Sequence, residues 1–222
     1  MASRQPKSES ARESAKPPVG VRGYRVRNVA KAAERRREIL VGAARAFAHA
    51  SFDATNMDQI AHECGLAKGH IYHYFRSKEE IFTEIRVDAV GRLLDQLNAI
   101  VRSGETDPAV LLRKATASIV GRIYEERDRY EPLVPDPVSL SAANRKRIRS
   151  IGRRYEHMFT NILRMGIEKG VFIAGDAKLM SFVILRGAFT VANWYRENGK
   201  WKPQWIVEEV TEQLVRSVLK QR

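Results

Sequence analysis

Residues 55–75, TNMDQIAHECGLAKGHIYHYF, decide the fold of this chain. They have the pattern of two short helices that cross at a glycine turn. On the first helix, Met57, Ile60 and Ala61 fall on one face, and the small Ala61 allows a close crossing. Gly65 supplies the turn, because glycine adopts positive φ without steric cost. The stretch therefore predicts a helix-turn-helix.

The second helix of this pair has one apolar and one polar face. Leu66 follows the turn and Ile71 lies further along, so both are predicted to face the core. The opposite face carries Lys68, Gly69, His70 and His73. A helix with these outward residues suits insertion into the major groove of DNA, where the glycine permits close approach of the backbone.

Helical periodicity continues on both sides of this motif. Apolar residues recur at three- and four-residue steps from residue 33, and Ser77 with Glu80 forms a capping-box pattern that opens a long helix. Asp107 and Asp176 occupy cap positions before two later helices. No stretch alternates as a half-buried strand does. We predict an all-α protein of about nine helices, with a three-helix N-terminal helix-turn-helix domain and a larger helical domain.

The charge balance favours a polyanionic partner. The chain has 222 residues, a formal net charge of +13 and a pI of about 10.1. Residues 1–33 hold eight Lys or Arg against two Glu and almost no large apolar side chains. We therefore predict a disordered basic arm over residues 1–32. Two interpretations stay open: a solubilising extension, or an arm that contacts phosphates or enters a minor groove.

Several other functional classes are disfavoured. Cys64 is the single cysteine, which precludes an intrachain disulfide and fits a reducing compartment, so we expect a cytoplasmic protein. The N-terminus lacks the apolar core of a secretory signal, and no run approaches the ~20 apolar residues of a membrane span. The sequence has no nucleophile elbow, no evident paired carboxylates and no dinucleotide fingerprint. We expect neither an enzyme nor a cofactor.

Histidines near Cys64 raise the question of a metal site. His62 and Cys64 are two residues apart on a helix, so their side chains point in different directions. His70 and His73 lack evident further ligands. We predict that no metal is bound.

Residues 36–82 resemble the DNA-binding domain of the TetR family of repressors over about 47 contiguous positions. The positions in register are Ile39, Leu40, Phe47, Thr55, Ile60, Ala61, Gly65, Lys68, Gly69, Tyr72, Phe75, Ser77, Lys78 and Glu79. The resemblance implies a DNA-binding domain over residues 33–82 and an effector-binding and dimerisation domain over 83–222. Ser51 stands where the family usually has glycine, and Ala67 where serine usually caps the recognition helix.

The resemblance also implies which residues meet DNA. Phosphate contacts fall on Thr55, Asn56, Tyr72 and Lys78. The residues that would face base edges or the adjoining backbone are Lys68, Gly69, His70 and His73. Tyr72 has an alternative interpretation as a core or hinge aromatic.

The larger domain contains a clue to an effector. Arg186 lies in the apolar run SFVILRGAFTVANWY, where a charge needs an acidic partner, a dimer contact or an anionic ligand. The run R-G-A-F-x-x-x-N-W-Y is similar to a segment of TetR-type regulators that respond to acyl-coenzyme A thioesters. This similarity indicates four candidate effector contacts, although interface roles stay open: Arg186, Phe189, Asn193 and Trp194. The basic run at 145–154 is either a phosphate-binding surface or a solvated helix face.

Together these patterns predict a ligand-responsive DNA-binding transcriptional regulator. In this interpretation it is a homodimer, paired through its last two helices, and a repressor released from a pseudo-palindromic operator by a small hydrophobic effector. An acyl-coenzyme A thioester is one candidate effector. The alternative is an architectural DNA-binding protein that responds to no effector. The expected partners are double-stranded DNA, a second copy of the chain and the effector, without a membrane.

Overall fold

A computed structural model describes residues 29–125, 139–196 and 198–221, which form nine α-helices and no β-strand. The helices are α1 (Val29–Ala54), α2 (Met57–Glu63), α3 (Lys68–Tyr72), α4 (Lys78–Val101), α5 (Pro108–Glu125), α6 (Ala142–Glu168), α7 (Ala177–Phe189), α8 (Val191–Trp194) and α9 (Pro203–Arg216). The all-α prediction is confirmed. Most of the basic arm, residues 1–28, lies outside the described residues.

The first helix begins earlier than expected and contains a kink near its end. It begins at Val29, four residues before the periodicity predicted. Near its end Ser51 has φ 64° and ψ 163°, and it is the single non-glycine residue of the described ranges with positive φ. An L side chain pays a steric penalty in this region, which explains why glycine suits the position. The kink lets Phe52 turn back into the core.

Side-chain caps start the later helices as predicted, with one correction. Asp107 accepts from the Ala109 N–H, and Asp176 caps α7 in the same way. The Ser77 hydroxyl accepts from the Glu80 N–H at 3.1 Å. The Glu80 carboxylate, however, accepts from the Arg76 N–H at 2.7 Å and not from Ser77, so the capping box is only half formed.

Two hydrophobic cores lie along the molecule, and α4 and α6 contribute to both. The first core joins α1–α3 to Ile81, Phe82 and Ile85 of α4 and to Ile148 of α6. The second core joins later residues of the same two helices, from Leu93 onward on α4, to α5, α7, α8 and α9. Helix α4 runs without interruption through residues 82–83, the predicted domain boundary, and so contributes to both cores.

Polar contacts fix the start of α6 against α4. The Glu79 carboxylate accepts from the Ser141 N–H at 2.7 Å and from the Asn144 amide at 2.8 Å. These hydrogen bonds from Ser141 and Asn144 hold the pKa of Glu79 below its ordinary value. Their stabilisation is therefore present above the ordinary carboxyl pKa and is lost as the pH falls through the lowered one. Glu84 adds ion pairs to Arg36 of α1 at 3.3 Å and to Arg147 of α6 at 3.0 Å.

The C-terminal segment closes the second core. After α6 the chain turns at Gly170, whose φ is 68°, and Phe172 then packs with 2% of its side chain exposed. Phe172 forms an isolated antiparallel bridge with Leu219, which fastens the chain end beyond α9. Among the described helices, none is long and apolar enough to cross a bilayer.

Gly166 is the position at which this packing is most sensitive to one added methyl group. A Cβ there would lie 2.0 Å from the Phe172 ring, whereas a Cβ at Gly121 of α5 would meet nothing within 4 Å. We expect Gly166→Ala to lower the free energy of unfolding by about 1–2 kcal/mol through overpacking. Gly121→Ala should leave it unchanged or raise it by up to about 1 kcal/mol through helix propensity. Urea denaturation of both variants at one protein concentration tests this, and equal midpoints would contradict it.

Candidate DNA-binding surface and effector cavity

The turn before α2 is organised by Asn56. Its side-chain oxygen accepts from the N–H groups of Asp58 and Gln59, both at 3.0 Å. The Gln59 side chain accepts in return from the Asn56 N–H at 2.8 Å, which completes a capping box that the sequence analysis did not identify. The signal was present, because Asn and Gln stand three residues apart. Asn56 is exposed at the N-terminus of α2.

Thr55 is placed differently from the phosphate-binding role that the resemblance implies. Its side chain is 1% exposed, and its hydroxyl donates to the carbonyls of Ser51 at 2.6 Å and Ala46 at 3.2 Å. Its own N–H also donates to Ser51. Both donors of Thr55 are therefore used to close the kink at Ser51.

Lys78 is likewise directed inward, in contrast to the phosphate contact expected for it. Its ammonium donates to the carbonyls of Phe52 at 2.8 Å, Asp53 at 3.1 Å and Thr55 at 2.7 Å. It also lies 4.7 Å from the centre of the Phe52 ring. Since all three donors of the ammonium have carbonyl partners, Lys78 ties the first turn of α4 to the kink.

The recognition helix α3 depends on its neighbours for its orientation. It has five residues, too few for an isolated helix to be stable, and its N-cap Ala67 makes no side-chain bond. Ile71 and Phe75 anchor it, both with 0% exposure. Arg36 of α1 lies 4.1 Å from the Phe75 ring centre and donates to the Tyr74 carbonyl at 2.9 Å. These contacts fix the orientation of α3 relative to α1.

The face of α3 opposite Ile71 carries the remaining predicted contacts. The exposed residues are Lys68, Gly69, His70 and His73, and Tyr72 is half-buried beside them. The two imidazole rings lie 6.1 Å apart. The Lys68 ammonium donates to Asp58 of α2 at 2.7 Å, and this hydrogen bond raises the pKa of Lys68. The structure therefore brings these residues together on one surface, with Asp58 as an acidic member that the sequence analysis did not consider.

No metal-binding arrangement occurs within the described ranges, where no three His, Cys, Asp or Glu side chains are grouped to hold an ion. Cys64 packs against Gly42 of α1, and burial raises the pKa of its thiol to about 11. The thiol is therefore protonated at neutral pH and poorly suited to metal binding or redox chemistry.

Asp58 tests the electrostatics of this surface. Asp58→Asn removes one negative charge and releases Lys68 from its ion pair, so affinity for double-stranded DNA should rise by about two- to fivefold at low salt. Lys68→Met should weaken binding under the same conditions. Fluorescence anisotropy at two salt concentrations measures both effects. The control is Asp95→Asn on the exposed side of α4, which should change nothing. An Asp58→Asn variant with weaker binding would contradict the prediction.

A cavity of about 420 Å³ lies between α4, α5, α6 and α7. Its volume is within the range of small-molecule sites. The apolar lining comprises Ala89, Val90, Leu93, Ile119, Ile148, Phe182, Leu185 and Phe189. These walls can surround an apolar ligand body of moderate length.

The same cavity is strongly basic. Among the described residues, the charged lining consists of one acidic residue, Glu156, and five arginines, which are Arg86, Arg122, Arg149, Arg153 and Arg186. Arg149, Arg153 and Arg186 are exposed and mark the mouth, whereas Arg122 is partly buried and donates to Gln96 from Nε and Nη2 at 3.2 and 3.1 Å. The cavity therefore offers positive charge outside and apolar walls inside.

The predicted effector residues divide into two groups. Arg186 and Phe189 line the cavity. Asn193 and Trp194 do not, and Trp194 instead makes an edge-on contact with Trp201, with ring centroids 6.3 Å apart. Both residues lie past the end of α7. The run that the sequence suggested as a single effector surface is therefore divided between the cavity and the contact with Trp201.

Other cavity residues were missed by the sequence analysis. From the basic run at 145–154, only Arg149 and Arg153 line the cavity. Arg86, Arg122 and Tyr155 were not identified. On α6, the sequence contained a signal for the cavity, because arginines four residues apart precede a tyrosine. The sequences of α4 and α5 contained no such signal. Only the packing of four helices brings these side chains together.

A helix-turn-helix with an exposed recognition helix, joined to a helical domain with a ligand-sized cavity, defines a DNA-binding transcriptional regulator. The model of the TetR family of bacterial regulatory proteins matches residues 39–85, and the tetracycline repressor-like C-terminal domain model matches residues 105–218. The chain belongs to the TetR family.

Individual proteins agree with this assignment. The chain is 30% identical over 171 residues to the HTH-type transcriptional repressor KstR2 of Rhodococcus jostii, covering 74% of this chain and 81% of that protein. The crystal structure of PfmR, a TetR family regulator from Thermus thermophilus, has a TM-score of 0.73 and 28% identity, covering 83% of this chain and 99% of that one. AibR in complex with isovaleryl coenzyme A and operator DNA has a TM-score of 0.74 and 19% identity, covering 82% and 98%.

Proposed function

We propose that this chain is a repressor that leaves its operator when an acyl-coenzyme A thioester binds in the cavity between α4, α5, α6 and α7. The observation that carries the proposal is the lining of that cavity, which combines apolar walls with five arginines. The acyl body would occupy the apolar interior. The phosphates of coenzyme A would meet the arginines at the mouth.

The charge of the lining separates this ligand class from others. Arginine binds phosphate oxygens in bidentate geometry, and several arginines suit a ligand with several anionic groups. A free carboxylic acid has one charge and would leave most of them without a ligand contact. A cationic amphipathic drug would be repelled. Removal of the acyl chain from water would strengthen binding by about 25 cal/mol for each Å² of apolar area that is buried.

Relatives support the same ligand class. AibR, which shares the fold, was crystallised with isovaleryl coenzyme A and operator DNA. The protein from Rhodococcus jostii is described as a transcriptional repressor. These descriptions agree with the cavity chemistry of this chain and with repression as its mode of action.

On DNA, the exposed face of α3 would enter the major groove. Lys68, Gly69, His70 and His73 would meet base edges or adjoining phosphates, and Asn56 and Tyr72 would meet the backbone beside them. Thr55 and Lys78 would act indirectly, because their donors hold the kinked end of α1. Such a protein acts on chromosomal DNA in the cytoplasm and performs no catalysis.

A homodimer would use the outward stripe of α7. Leu179, Phe182 and Val183 are 63%, 41% and 64% exposed, and their spacing puts them on one helix face. A second copy that packs on this stripe, together with α9, would remove it from water. Two-fold symmetry would then present two recognition helices to successive faces of a pseudo-palindromic operator.

Effector binding would reach DNA through α6. This helix supplies Arg149, Arg153 and Tyr155 to the cavity and holds α4 through Asn144 at its first turn. A ligand that favours one position of α6 therefore favours one position of the helix-turn-helix. The ligand can shift the equilibrium only by its difference in affinity for the two states.

The proposal is tested with labelled intergenic DNA from upstream of the gene, by fluorescence anisotropy, with isovaleryl-, octanoyl- and phenylacetyl-coenzyme A and the matching free acids. We expect release by at least one thioester at concentrations at which its acid has no effect. The double variant Arg149→Ala/Arg153→Ala should bind DNA normally and need at least about tenfold more thioester, because it loses two charge-assisted contacts.

Arg154→Ala is the matched control, since Arg154 is exposed on the same helix but does not line the cavity. It should respond as the wild type does. DNA binding that is indifferent to sequence, falls steeply with salt and responds to no ligand would contradict the proposal. That result would favour the architectural alternative.

A further inference from the structure

The cavity contains a polar group that its walls leave unsatisfied. Tyr155 of α6 lines the cavity with 3% of its side chain exposed. Among the described residues its hydroxyl has no hydrogen-bond partner. Buried hydroxyl groups are nearly always paired, so one that lines a cavity and has no partner among the described residues is placed to bond with a ligand in that cavity.

The other unpaired hydroxyls differ in position. Thr116 and Thr211 also have buried hydroxyl oxygens without a partner among the described residues. Neither residue lines this cavity. Tyr155 therefore combines both properties, burial without a partner and access to the space that a ligand would fill.

The chemistry of the phenol defines its role. Burial raises the pKa of Tyr155 above its ordinary value, although the nearby Arg122 guanidinium opposes the shift. The hydroxyl is therefore neutral and protonated at physiological pH, and it acts as a hydrogen-bond donor. Its natural partner is an oxygen acceptor on a ligand.

Location distinguishes this acceptor from the anionic part of the ligand. The exposed arginines Arg149, Arg153 and Arg186 mark the mouth of the cavity, whereas Tyr155 is buried. An anionic group at the mouth would satisfy the arginines and leave the phenol unpaired. The acceptor must therefore belong to the part of the ligand that enters the apolar interior.

We propose that the Tyr155 hydroxyl donates a hydrogen bond to a neutral carbonyl oxygen on the cavity-bound part of the effector, and that this bond selects carbonyl-bearing ligands over purely hydrocarbon ones. The carbonyl is either that of the thioester or a ketone further along the acyl body. This inference rests on the proposed function, because it takes the cavity as the effector site.

Two matched pairs of probes separate the two sources of the carbonyl. The first pair is octanoyl-coenzyme A and S-octyl-coenzyme A, a thioether without the carbonyl. The second pair is octanoyl-coenzyme A and its keto analogue, with the ketone beside the terminal methyl. Dissociation constants are measured by titration calorimetry for the wild type and for Tyr155→Phe, which keeps the ring.

In the wild type, we expect the member with the additional carbonyl, octanoyl-coenzyme A in the first pair or the keto analogue in the second, to bind about tenfold more tightly in at least one pair. In Tyr155→Phe this preference should fall to within about twofold, while affinity for S-octyl-coenzyme A stays the same. Tyr195→Phe is the matched control, since Tyr195 is buried in the same core but does not line the cavity. It should preserve the preference of the wild type.

Preference ratios that are equal in the wild type and Tyr155→Phe for both pairs would overturn the role of Tyr155. Failure of every thioester to bind the wild type would instead contradict the proposed effector class. In that case thermal unfolding without ligand decides on Tyr155. Loss of an unpaired hydroxyl should leave the melting temperature unchanged or raise it, whereas a fall of more than about 3 °C would mean that the hydroxyl is bonded within the protein.

Discussion

Helices α4 and α6 lie side by side from their first turns, and both hydrophobic cores depend on this contact. Glu84 of α4 links three helices, because its carboxylate forms ion pairs with Arg147 of α6 and with Arg36 of α1. Arg36 in turn binds the Tyr74 carbonyl at the end of the recognition helix. These charged contacts therefore link α6 to the recognition helix through side chains that have defined partners.

The proposed effector cavity and the apolar stripe of α7 share residues. Phe182 and Arg186 line the cavity and also lie on the exposed side of α7. The charge of Arg186 is therefore compatible with an apolar helix, because the side chain lies at a solvent-accessible mouth and not in a dry core. Pairing of two subunits through α7 would therefore bring the ligand site close to the interface, so ligand binding and dimer geometry would be physically linked.

Local patterns in the sequence were sufficient for the all-α class and for the helix-turn-helix. Gly65 has φ 62° at the turn, and Ile60 and Ile71 are fully buried, as the helix-turn-helix pattern predicted. Asp107 and Asp176 cap their helices for reasons contained within three residues of sequence. The split capping box at Ser77 shows the limit of such rules, because the backbone direction before the helix decided which N–H the Glu80 carboxylate accepts.

The sequence by itself determined the all-α fold, the family and the outward face of the recognition helix, because these follow from periodicity and from motifs within single helices. Only the tertiary structure decided the contacts of Thr55 and Lys78, whose donors bind backbone carbonyls that become available when α1 kinks and α4 packs beside it. It alone also decided the cavity between α4, α5, α6 and α7. Arg86, Arg122 and Tyr155 lie far apart in sequence, and only the packing of separate helices brings them to one space.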